Sequence, residues 1–215
     1  MSDTAAILRQ AYDQFMLPLG GKRIPTPYRR NEFGSYQKLG PEFQGKSSPE
    51  VLTKTTEKLA EAENFDLDKT SVEEIRRFMV NHKLGIDCSG FVYRLLDHLT
   101  KKIGLGNLQE AAGMEHIGRT GAAKLTSDRF VVPVPGPALT RPGDILKFNV
   151  LSDIPHVAVI LAHENGVITY AHSSSTQANG VHMGQIDNGK LQEKFQVGLG
   201  NPPFKIYRLK IFTEI

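Results

Sequence analysis

Apolar residues near the start of the chain recur at helical spacing. Ala5, Ile7, Leu8, Ala11, Tyr12, Phe15 and Met16 share one stripe, which predicts a helix over 3–17 capped by Ser2 or Thr4. A loop rich in Gly, Pro and Arg is expected from Leu19 to about Lys46. Ser48-Pro49-Glu50 opens a second helix over 49–63, with Pro at its first position, where the missing N–H costs nothing. Ser71-Val-Glu-Glu74 is a capping box and starts a third helix that runs to about Asn81. Phe91, Val92, Leu95, Leu96 and Leu99 predict a fourth over 88–101, buried along one face.

Polar, Gly-rich connections with short helices are expected over 104–127. The prolines of VVPVPGP exclude that segment from any central strand. From the turn Arg141-Pro142-Gly143-Asp144 onward the pattern becomes extended. Strands are expected at 144–149, 156–162, 167–172, 181–186 and 204–211, with hairpin-like turns at HENG and SSSTQANG. Helices first and a meander second make an α+β fold with an antiparallel sheet of about five strands.

A length of 215 residues fits a single domain, 1–215, and 40% hydrophobic content suffices for a packed core. The net charge of +3 is too small for the basic stripe that nucleic-acid binding needs. No window approaches the ~18 apolar residues of a membrane span. The N-terminus lacks a basic start followed by an apolar run, so no secretory signal is expected there. Localisation stays open between the cytoplasm, export by another route, and a secreted protein that has been trimmed. The single cysteine excludes internal disulfides and multi-cysteine zinc sites, and no H-E-x-x-H spacing occurs, so neither metal nor cofactor is expected.

That cysteine, Cys88, falls where the pattern puts a helix N-terminus. Unsatisfied N–H groups and the helix dipole there favour a thiolate. Asp87 can cap the helix, and its charge can also grip a substrate amine. Ser89 and Gly90 are small enough for a substrate backbone to approach. His156 opens an apolar strand and is the expected base. His172 ends the next strand, and a hairpin around Glu164-Asn165 would bring it beside His156, where it could fix the imidazole tautomer. The other histidines, His82, His98, His116, His163 and His182, read as surface or structural residues.

The string Gly85-Ile-Asp-Cys-Ser-Gly-Phe-Val-Tyr93 resembles the nucleophile motif of the NlpC family of bacterial cell-wall cysteine peptidases. Arg141-Pro-Gly-Asp-Ile-Leu-Lys-Phe148, Pro155-His-Val-Ala-Val-Ile160 and Thr169-Tyr-Ala-His-Ser173 resemble, in order, the strands that follow it in that family. The resemblance covers about 84–186. It implies a papain-like fold, a Cys88-His156-His172 triad, and hydrolysis of an amide in peptidoglycan stem peptides or muropeptides without a metal. It also implies an oxyanion site lined by the Cys88 N–H and a tyrosine, for which Thr26-Pro-Tyr28 offers Tyr28. Tyr28, Asp87 and Ser89 are thus the expected substrate-binding residues. The long separation of Tyr28 from Cys88 marks 35–80 as a helical insertion. Two further readings are acyl transfer to an amine or lipid on the same scaffold, and a non-catalytic binding module.

Overall fold

The computed structural model describes residues 3–31, 44–148, 155–175, 179–187 and 204–213. The stripe Phe91, Val92, Leu95, Leu96 and Leu99 is fully buried on a helix, α4 (Cys88–Lys102). Against it lies the first helix, α1 (Asp3–Gln14), whose Tyr12 meets Phe91 edge-on at 6.4 Å. Phe15, just beyond α1, meets the same ring at 5.0 Å.

α1 stops earlier than its apolar stripe suggests. Met16–Leu19 (β1) and Lys22–Pro25 (β2) form an antiparallel hairpin. Its turn is Gly20-Gly21, both at positive φ (53° and 65°), as a tight hairpin between right-twisted strands requires. Part of the expected helix and part of the expected loop are therefore a hairpin. Thr4 lies inside α1 rather than capping it, and Ser2 falls outside the described residues.

The next two helices, α2 (Pro49–Ala62) and α3 (Val72–Asn81), keep their predicted starts. The Ser48 hydroxyl accepts from Val51 N–H, and Ser71 and Glu74 complete the capping box. Both helices pack on the hairpin through a small core of their own, including Leu17, Leu19, Ile24, Leu52, Ile75 and Met79. The described part of the stretch expected as a helical insertion thus packs on the hairpin, while its residues 35–43 lie outside the described residues.

After α4 come two short helices, α5 (Leu108–Ala112) and α6 (Ala122–Leu125). The remaining strands are β3 (Val131–Pro133), β4 (Ile145–Phe148), β5 (His156–Glu164), β6 (Val167–Ser174), β7 (Gly180–Asp187) and β8 (Phe204–Leu209). They form one antiparallel sheet of six strands, not five, in the order β3-β8-β4-β5-β6-β7. The added strand is the proline-bearing VVP segment, and it sits at the sheet edge, where a missing N–H is tolerated.

One face of the sheet, with Val157, Val159, Leu161, Ala171 and Val181, packs against α4 and α1. The other carries Leu146, Ala158, Ile160, Ile168 and Tyr170. β5 and β6 turn on Asn165-Gly166, both at positive φ (50° and 75°). Glu164 pairs with Val167, but the register shifts between Ile160 and Ala162, so Val159 faces Ala171. This bulge decides the site. Directly opposed residues share a face. An unbroken ladder would set His172 opposite Val159, on the face away from His156. The extra residue puts His156 and His172 on one face.

Candidate active site

Cys88 is the first residue of α4, and the Asp87 carboxylate caps that helix by accepting from Gly90 N–H. The preceding segment is held on three sides. Ile86 N–H donates to Pro27 O at 3.0 Å, Arg29 N–H donates to Ile86 O at 3.2 Å, and the Ser173 hydroxyl of β6 donates to the same carbonyl at 2.7 Å. Gly85 sits at φ 156°, where a Cβ would meet Pro27 O at 2.4 Å, so only glycine allows this close passage. Tyr28 bridges to Ile86 and thereby comes beside Cys88 despite its distance in sequence. Burial, with the neighbouring Cys88 and Asp87, pushes its phenol up to about 12, so Tyr28 stays a hydroxyl donor at neutral pH.

The thiol accepts a hydrogen bond from the backbone N–H of Val157. Burial first, then the Asp87 carboxylate, push it up to about 11. The Val157 and Ser89 N–H groups and the Lys46 ammonium pull the other way but do not prevail. Cys88 therefore rests as a neutral thiol. Among the described residues no hydrogen bond joins it to His156; it is tied to the next residue of the same strand.

His156 Nε2 lies 2.6 Å from His172 Nδ1, and His172 Nε2 lies 2.7 Å from His182 Nε2. His182 Nδ1 lies 3.0 Å from Gly180 O. The Phe148 ring packs on His156 at 5.4 Å, and Tyr170 meets His172 edge-on at 5.3 Å. These apolar walls matter for charge. Burial, then the His182 ring, hold His156 down at about 4. Burial, then His156 and His182, hold His172 at about 3. Both rings are neutral at pH 7. With Nε2 of His156 engaged by His172, Nδ1 is the nitrogen left for proton exchange.

The expected pair His156 and His172 is thus brought together, diagonally across β5 and β6. His182, read from the sequence as structural, stands directly opposite His172 in the β6–β7 ladder and belongs to the same cluster. The alternation of VHMGQI put His182 on one face of its strand; what the pattern lacked was the identity of the neighbouring strand.

A residue missed in the sequence is Lys46. Its Nζ lies 2.8 Å from Asp87 Oδ1, donates also to Ser89 Oγ, and reaches Thr120 O at 3.1 Å. The two charged side chains are only 4% and 9% exposed. The Lys46 carbonyl in turn accepts from Arg94 at 2.9 Å. The ammonium that Asp87 and Ser89 hold is therefore the chain's own, not a substrate's. Gly90 is small for a related reason, since a Cβ there would meet Gly45 O at 2.6 Å. Its space admits this strap rather than a substrate backbone.

Among the described residues no group of three or more His, Cys, Asp or Glu could hold a metal ion, and no helix is long and apolar enough to cross a membrane. No protein-family model matches this chain, and no curated protein matches it.

Proposed function

We propose that this chain is a cysteine peptidase of the papain-like, NlpC type, hydrolysing an amide bond in peptidoglycan stem peptides or muropeptides. One observation carries the reading. A lone cysteine heads a buried helix and is bonded to Val157 N–H, next in the chain to a histidine whose Nε2 is engaged by a second histidine. Such a set suits attack on an acyl carbon. The ordered resemblance of 84–186 to the NlpC motifs supplies the substrate class.

On this reading the thiol and the imidazole are a neutral pair at rest, so the proton moves as sulfur attacks. The Cys88 S–H proton passes to His156 Nδ1 while Sγ bonds to the carbonyl carbon. The oxyanion meets the Cys88 N–H, an orphan donor of the helix start, and the Tyr28 hydroxyl. His156 returns the proton to the leaving amine, the C–N bond breaks, and an acyl-enzyme remains. Water, deprotonated by His156, releases the acid and restores the thiol.

Defined muropeptides read by mass spectrometry test the proposal. Wild type should yield a product that Cys88→Ala loses by at least ~10³-fold. The absence of thiol-dependent product from every stem peptide would overturn the assignment.

A further inference from the structure

The distances among the three histidines also fix which nitrogen of each carries the proton. Gly180 O can only accept, so His182 Nδ1 donates to it at 3.0 Å. In a neutral His182 ring, Nε2 is then bare and accepts. His172 Nε2, at 2.7 Å, must be its donor. A neutral His172 therefore has a bare Nδ1, and the donor to it at 2.6 Å is His156 Nε2. His156 is left with an unprotonated Nδ1, the form a base needs.

Resting on the proposed function, we infer that His182 is a positioning residue, which, anchored to Gly180 O, sets the direction of the whole hydrogen-bond chain and holds His156 as its Nε2–H tautomer. The ladder supports this assignment. His172 and His182 are directly opposed across β6 and β7, with ring centroids 4.1 Å apart, so the contact is built into the backbone register. The anchor carbonyl is held as well: Gly180 pairs with Ser174 on β6 and bridges to Pro27 on its other side. When Nδ1 takes a proton, the His156 imidazolium donates through Nε2 to a lone pair already aimed at it, so no partner has to turn.

Reversing the chain reverses the outcome. A donor at position 182 would force His172 to accept at Nε2 and to donate through Nδ1. His156 would then accept at Nε2 and carry its proton on Nδ1, where it blocks the base.

The test uses the full chain labelled with ¹⁵N-histidine. In wild type, NMR should find His156 and His172 protonated on Nε2 and His182 on Nδ1. His182→Gln, whose side-chain carbonyl can still accept, should keep the His156 tautomer and stay within about 5-fold of wild-type kcat/KM. His182→Lys, a donor only, should move the His156 proton to Nδ1 and lower kcat by at least ~10²-fold, toward the ~10⁴-fold that a wrong tautomer costs a triad. Wild-type His156 protonated on Nδ1 would overturn the inference, and so would equal losses in Gln and Lys variants of equal stability. The NMR readout needs no substrate, so a chain that cleaves no muropeptide would sink the proposed function and leave this inference to be judged by the tautomers alone.

Discussion

Two polar clusters flank the contact between Cys88 and Val157 N–H, and they are built on opposite electrostatic plans. On one side, Lys46, Asp87 and Ser89 bury a full ion pair beneath the helix start. On the other, His156, His172 and His182 are joined by single-proton bonds, and burial keeps His156 and His172 uncharged at neutral pH. A buried charge is tolerated only with its partner in place, whereas a neutral chain can exchange a proton with little rearrangement. The first cluster is thus fitted to hold the helix tip, and the second, on the proposed function, to move protons.

Removing one charge is the most severe way to test this contrast. Lys46→Met should cost about 3–5 kcal/mol in urea denaturation, because it strands a buried carboxylate. Adding Asp87→Asn should recover most of the loss, since asparagine still caps the helix. A Lys46→Met variant as stable as wild type would mean that the pair is not buried in solution.

The histidine side should respond to acid instead. Burial lowers His156 to about 4 and His172 to about 3, so the stability these neutral rings contribute is complete above their unfolded pKa of ~6.5. It is lost as pH falls toward the folded values. Each ring should cost roughly 2 kcal/mol between pH 6.5 and 5. Replacing both with asparagine should flatten the fall of Tm with acid. An unchanged slope would place the acid sensitivity elsewhere. The smallest effect belongs to the tether between the two clusters: Ser173→Ala deletes the 2.7 Å bond to Ile86 O and should cost about 1 kcal/mol.

Much of this was legible in the chain, and for identifiable reasons. Local signals carried α2, α3 and α4: Pro49 at a first turn, the Ser71–Glu74 box, and the spacing of Phe91 to Leu99. Asn165-Gly166 marked its hairpin. The hairpin of β1 and β2 was hidden because Phe15 and Met16 extend the helical stripe of α1 past its end. Lys46 was hidden because its partners come from distant segments, and nothing near Gly45 marks a buried cation. The bulge in β5 left no trace because VAVILA, after His156, is apolar throughout, and alternation, the only pattern an extra residue disturbs, is missing there.

That bulge makes the site a matter of parity. Whether His156 and His172 meet depends on β5 setting one extra residue aside in the bulge, not on the chemistry of any side chain near the thiol. Deleting Leu161 would remove the extra residue itself, leave Ile160 opposite Tyr170 and Ala162 opposite Thr169, and keep His156 and His172 on one face. Deleting two would set Val157 opposite His172 and send His156 to the opposite side of the sheet. Point substitutions sample side chains and leave this count untouched, so changes in the length of β5 are what probe the placement of His156.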